Sequence, residues 1–353
     1  MVVGMEVVDV TDTAEMTGEL AQSYDVAVVG GGAAGLNGAL MLARSRRSVA
    51  VIDAGAPRNA PADGVHGLLG REGMPPGELL ARGRAEVRGY GGHVVTGEVT
   101  GASRDTEHAA DDGGGGEGGE GGEGSPGFTV ALADGRSVRA RRLLVTTGLV
   151  DELPAVAGLR ERWGRDVVHC PYCHGWEVRD QAIGVLATGP MALHQTLLFR
   201  QLSDDVTYFA HTTETPAGED AEQLDALGVR VVTGPVAGLE VAGDRLAGVR
   251  LADGTVVPRQ ALAVATRMVA RGGFLAGLGL TPVPHPSGMG EHVPADATGR
   301  TDVPGVWAAG NVADMTAQVG AAAAAGAMAG AQINADLAAE DARRAVAARR
   351  VRV

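Results

Sequence analysis

The stretch Asp25-Val26-Ala27-Val28-Val29-Gly30-Gly31-Gly32-Ala33-Ala34-Gly35 runs from a short apolar strand straight into a glycine-rich turn. A helical Leu/Ala stretch follows through Ala43, and a second apolar strand, Ser48 to Ile52, ends in Asp53. This is G-x-G-x-x-G in the strand–turn–helix setting it requires, with an acid 23 positions after the first glycine. Gly30 allows the tight turn, Gly32 lets a pyrophosphate approach the backbone, and Gly35 lets helix meet strand. Ala33 and Ala34 open the helix whose N-terminus would face the phosphates, and Asp53 can accept hydrogen bonds from a ribose. The pattern predicts an α/β fold with a dinucleotide site at its start.

Around this unit, the length of 353 residues suggests about two domains, and 45% hydrophobic with 21% charged residues is an ordinary globular composition. The formal net charge is −13, but residues 105–123 hold seven acids and no Lys or Arg, so the remainder carries only about −6. That balance offers no electrostatic footprint for nucleic acid. Residues 1–22 lack the basic start and continuous apolar run of a signal peptide and read as a disordered leader. The uncharged run Met315 to Ile333 approaches membrane-span length but is largely Ala and Gly, which predicts a tightly packed helix and no membrane partner.

Both cysteines of the chain lie in His169-Cys170-Pro171-Tyr172-Cys173-His174-Gly175-Trp176. Two residues between thiols let one turn of backbone bring the sulfurs within bonding distance, and Pro171 stiffens that turn. A redox-active dithiol is one reading; c-type haem attachment, a zinc site and two merely structural cysteines are others. Haem attachment implies export, and structural zinc normally draws on two separated ligand pairs, so no metal is expected. So few cysteines fit a reducing, cytoplasmic setting in which a dithiol would be catalytic. His174 is a candidate acid/base residue and His169 a weaker one, for which a plain hydrogen-bonded role is equally good.

Asp105 to Gly127 reads as a low-complexity loop decorating a hairpin, between the strand-like runs Gly92 to Thr96, Phe128 to Leu132 and Val138 to Thr147. Leu143 to Gly148 reads as the strand returning the chain to the cofactor. Beyond about Leu153, a second strand–turn–helix, Ala182 to Ala192, carries a degraded phosphate loop. Ala187 and Ala192 replace its first and third glycines, and Pro190 removes a possible phosphate donor. The strand Val206 to His211 is followed by Thr212-Thr213-Glu214, with no arginine for a 2′-phosphate. Strands at Arg230 to Thr233, Gly248 to Leu251 and Leu262 to Ala265 complete a compact unit ending by about Val283. Thr301 to Val312 then delivers Gly310 and Asn311 to the end of the Ala/Gly helix that carries Gln318 and Val319, suiting contact with the ribityl chain of FAD.

Taken together, Gly30 to Gly35 with Asp53, Cys170-Pro171-Tyr172-Cys173, and Thr301 to Val312 resemble, in order, the motifs of the thioredoxin-reductase-like flavoproteins. These are the low-molecular-weight branch of the pyridine nucleotide-disulfide oxidoreductases. The resemblance covers nearly the whole chain outside the leader and the insert. It implies two Rossmann-like domains, an FAD domain split into residues 20–152 and 284–353 and an inserted domain, 153–283, bearing the cysteines. It also implies a homodimer, with Cys173 exchanging electrons with the FAD ring and Cys170 meeting substrate. The departures from the reductase pattern are His174 where an aspartate is usual, the degraded second loop, the missing basic cluster, and Asn311 in place of aspartate. With them the chain resembles the dithiol oxidases of the gliotoxin and holomycin type, which close disulfides in microbial natural products. That resemblance implies oxidation of a small-molecule dithiol, with molecular oxygen as acceptor and H2O2 as product. A thioredoxin-disulfide reductase using NADPH or another electron donor is the alternative.

Overall fold

The computed structural model describes residues 20–105 and 127–352. The expected leader, apart from its last three residues, and the expected loop, apart from Asp105 and Gly127, lie outside the described residues.

The opening motif folds as β1 (Ser23–Val29) and α1 (Ala33–Arg44), followed by β2 (Val49–Asp53). Then come α2 (Pro76–Gly89), β3 (His93–Thr96), β4 (Val99–Arg104), β5 (Phe128–Leu132) and β6 (Ser137–Val145). β1 lies parallel between β2 and β6, as expected of apolar runs buried on both faces, and β6 passes to the antiparallel β5 and β4. β4 was not anticipated: only Ala102 of its six residues is buried, so its apolar signal is weak and its pairing with β5 spans the insert. The insert therefore does join two hairpin strands, although the first of them is β4 rather than the Gly92 to Thr96 run.

From β7 (Leu149–Glu152) the chain enters a second unit. It contains α3 (Leu159–Arg162), β8 (Val167–Val168), α4 (Pro171–His174), β9 (Ile183–Leu186), α5 (Ala192–Arg200), β10 (Val206–Phe209), α6 (Glu219–Ala226) and β11 (Arg230–Val232). After these come β12 (Val236–Ala242), β13 (Arg245–Leu251), β14 (Val256–Val257) and β15 (Ala261–Val264). Five strands form a parallel sheet in the order β11-β10-β9-β15-β8, with Phe209, Leu186 and Leu262 at the core on one face. The antiparallel β12-β13-β14 sheet was missed in part. Gly238 dilutes its first strand, and its turn is signalled by Gly243 and Asp244, both at positive φ (56° and 58°) as in a two-residue hairpin.

Return to the first unit runs through β16 (Arg267–Ala270), which pairs antiparallel with β7 and parallel with β18 (Gly290–His292); β17 (Val283–Pro284) lies beyond β18. The expected boundary near Val283 lies too late: Leu275 and Leu280 belong to the core of the first sheet, with Phe128 and Val306. Their segment is short, glycine-punctuated and without a strand pattern, so sequence alone could not attach it to either side. Finally β19 (Val306–Ala308) pairs with β6, and α7 (Val319–Val351) packs along α1. A Cβ at Gly326 would collide with the Ala34 carbonyl, and one at Gly330 would lie 2.6 Å from the Gly38 carbonyl oxygen, which is why the run is Ala and Gly. α7 continues well past Ile333 because Asp336, Glu340 and Asp341 pair with Arg142, Arg141 and Arg47. Among the described residues, no helix is long and apolar enough to cross a membrane.

Candidate active site

The carboxyl ends of β1, β2 and β6 open onto a cavity of about 860 Å³, a volume suited to a cofactor-sized ligand. At its floor, Gly30 has φ +107°, and a side chain there would strike the Thr146 carbonyl. The Thr146 hydroxyl ties β6 to the same turn, donating to the Val29 carbonyl at 3.0 Å and to that of Gly30 at 2.8 Å. A Cβ on Gly32 would meet nothing within 4 Å, so the backbone is bare toward open space. Gly32, Ala33 and Ala34 line the cavity, whereas Gly35 does not: a Cβ there would collide with the Gly30 carbonyl, which matches the helix-to-strand contact assigned to it. Asp53 lines the cavity too, accepting from the Gly55 amide at 3.1 Å, with Arg84 4.0 Å away.

Gly148 (φ +68°), Gly310 (φ +74°), Asn311, Gln318 and Val319 line the same space. Gln318 is the N-cap of α7, so the positive end of that helix is presented there. The Asn311 amide nitrogen donates to the carbonyls of Asp314, Met315 and Ala317 at 3.1, 3.3 and 2.9 Å. It thus shapes the turn into α7, and only its carbonyl oxygen remains for a ligand. These bare glycines, the helix end and the acid at the tip of β2 fit FAD. Gly30 to Ala34 would hold its pyrophosphate, Asp53 a ribose, and Gly310, Asn311, Gln318 and Val319 the flavin half.

The cysteines come from the other unit and close the same cavity. Cys170 caps the single turn α4, where the amides of Cys173 and His174 bond to its carbonyl at 3.2 and 3.1 Å, so both sulfurs sit on one side of that turn. Both are free thiols, half-buried. A hydrogen bond from Cys173 brings the Cys170 thiol down to about 7, and giving that bond, together with burial, pushes Cys173 up. Cys170 is therefore the thiol that gives up its proton first.

His169 Nδ1 donates to the Val264 carbonyl at 2.9 Å, and burial lowers its pKa, so it lines the cavity as a fixed neutral ring. Burial likewise lowers His174, whose Nε2 is buried beside the cavity with no hydrogen-bond partner. An orphaned ring nitrogen next to two thiols can take or give a proton there.

Two loops complete the lining: Arg58 to Leu69 contributes Arg58, Asn59, Pro61, Ala62, Val65 and His66, and Phe274 to Met289 contributes Phe274. Met289 instead packs against the small core of Leu149, Met268 and Met315. Sequence reading missed Asp151, whose only signal is its place three residues beyond Gly148, and gave Arg58 no role.

The second glycine-like loop lines no part of this cavity. Thr188 Oγ1 donates to the Ala265 carbonyl at 2.6 Å, the Ala187 amide bonds to the Phe209 carbonyl, and the Ala192 amide bonds to that of Gly189. His211 is likewise internal, accepting from the Val236 amide at 2.9 Å.

Among known proteins, the pyridine nucleotide-disulphide oxidoreductase family matches residues 24–329. The chain is 32% identical over 310 residues to the thioredoxin reductase tcpT of Claviceps purpurea, covering 84% of this chain and 88% of that protein. It is 29% identical to the thioredoxin reductase sirT of Leptosphaeria maculans, with 84% and 89% covered. The crystal structure of HlmI superposes with a TM-score of 0.84 at 45% identity, covering 96% of this chain and all of HlmI.

Proposed function

The chain belongs to the pyridine nucleotide-disulphide oxidoreductase family, and from that premise we propose that it is an FAD-dependent oxidase of a small-molecule dithiol. Its product would be the intramolecular disulfide, formed in natural-product biosynthesis of the holomycin type. One observation carries the reading: the cysteine pair and the first glycine loop line one cavity, to which the second glycine-like loop contributes no residue. Likeness to HlmI and tcpT supports the same direction. A homodimer in the cytoplasm is the working form we infer with it.

The residues of this chain divide the work. A substrate thiolate attacks Sγ of Cys170 in the Cys170–Cys173 disulfide, and Cys173 leaves with the electron pair. His174, neutral and unpartnered at Nε2, takes the proton of the second substrate thiol. That thiolate attacks the substrate sulfur of the mixed disulfide, closing the product and releasing Cys170 as thiolate. His174 then passes its proton to Cys173, leaving the dithiol with a single proton. Bound FAD would supply the acceptor for the two electrons now on the cysteines and pass them to O2 as H2O2.

Aerobic purification should give a yellow protein that consumes O2 and forms equimolar H2O2 with a dithiol and no NADPH. Rapid bleaching by NADPH without dithiol would establish the reductase alternative instead. The cysteine roles separate in two variants. Cys170→Ser should show a broad long-wavelength flavin absorbance that fades as pH falls through the Cys173 pKa, and Cys173→Ser should trap substrate as a mixed disulfide. Appearance of the long-wavelength band only in Cys173→Ser would reverse their order.

A further inference from the structure

Beside the cysteines, the cavity wall carries a cation that no motif announces. Arg58, in the loop after β2, grips Asp151 of β7 with both prongs, Nε to Oδ2 at 2.6 Å and Nη2 to Oδ1 at 2.7 Å. The Thr266 hydroxyl donates to the same Oδ1 at 2.6 Å. The Asp151 side chain is only 7% exposed and that of Arg58 28%, so the fork is held away from bulk water. Arg58 and Asp151 line the cavity together with Cys170, Cys173 and His169.

We propose that Arg58 is a positioning residue for the redox pair: its fixed positive charge, aimed by Asp151 and Thr266, stabilises thiolate on both cysteines. This rests on the reading of Cys170 and Cys173 as the redox pair. Three consequences of one cation point the same way, since the Arg58 charge favours the thiolate at Cys170 and at Cys173 and disfavours the imidazolium at His169. The other charged or titratable groups around the pair are His169, His174 and Glu177 on its own segment, Asp63 and His66 in the Arg58 loop, Asp151 on β7, and Arg271 after β16. Asp151 opposes Arg58 at His169, so its service to the thiolate is to fix where the guanidinium points. Stabilising a thiolate stabilises the dithiol relative to the disulfide, which makes the disulfide a stronger oxidant of incoming dithiols. The cation thus suits a pair that must accept electrons from substrate.

The test is the pH profile of Cys170 alkylation by iodoacetamide in the dithiol-reduced holoenzyme, read by peptide mass spectrometry. Arg58→Met should move the midpoint up by about one unit, slowing alkylation about tenfold on the acid side. Arg58→Lys keeps the charge without the fork and should stay near wild type. An unmoved Arg58→Met profile overturns the proposal, as does an Arg58→Lys profile shifted as far as that of Arg58→Met, which would assign the effect to packing. Should Arg58→Met fail to fold, Arg58→Gln is judged by the same criteria. Failure of the wild type to oxidise any dithiol would instead sink the functional reading, and the alkylation comparison would still stand.

Discussion

The two strand–turn–helix loops of this chain began from the same pattern and now differ in where their polar groups go. At Gly30 to Gly35, positive φ and missing side chains leave a bare backbone facing a large cavity. Residues 187–192 line no part of that cavity, and the Thr188 hydroxyl is bonded to the Ala265 carbonyl. Pro190 contributes no donor at all. A dinucleotide loop works by presenting unspent N–H groups to a phosphate, and the second loop has one fewer to present. What the second unit brings to the cavity includes the segment before its loop: α4 and the two thiols.

Matched substitutions give the sharpest test of that contrast. Gly32→Arg should purify colourless and inactive, since it fills the space a cofactor needs. Gly189→Arg, at a position where a Cβ also meets nothing within 4 Å, should keep its flavin and oxidise dithiols within about twofold of wild type. Loss of flavin from Gly189→Arg would break the comparison; visible spectra of the two proteins decide it.

Acid should separate the two units next. Burial lowers the pKa of His169, His174 and His211, all in the second unit, below their ordinary 6.5. Between the folded and unfolded values the unfolded chain binds more protons. The stability from burying neutral rings is therefore complete above about 6.5 and is lost as pH falls through that value toward the folded pKa. Going from about pH 7.5 to 5.5, hydrogen exchange should quicken first in β8 to β15. Earlier loss of protection in β1 to β6 would contradict this ordering.

The smallest effect is expected from the insert of the first unit. The Asp105 amide already bonds to the Gly127 carbonyl at 2.9 Å, and Thr129 bonds to the Asp105 side chain, so the ends meet without residues 106–126. Deleting 106–126 and bridging with a short turn should change unfolding free energy by no more than about 1 kcal/mol and leave dithiol oxidation intact. Denaturant unfolding checks it, and a larger loss would mean the segment packs on the first unit.

Local pattern alone determined much of this protein. Gly30, Gly32, Gly35 and Asp53 could be read because a pyrophosphate-binding turn demands glycines at fixed offsets after a strand, and C-x-x-C because two thiols must share one turn. The strands β2 and β9 and the Val26–Val29 part of β1 declared themselves as short apolar runs, since burial on both faces leaves little room for polar residues. Only the tertiary structure decided that Leu275 and Leu280 return to the first core, that Asn311 spends its amide on a turn, and that Arg58 and Asp151, 93 residues apart, meet beside the cysteines. These are contacts between distant segments whose residues have ordinary local surroundings. Their partners exist only once the sheets have brought the loops to one cavity, so no spacing along the chain can record them.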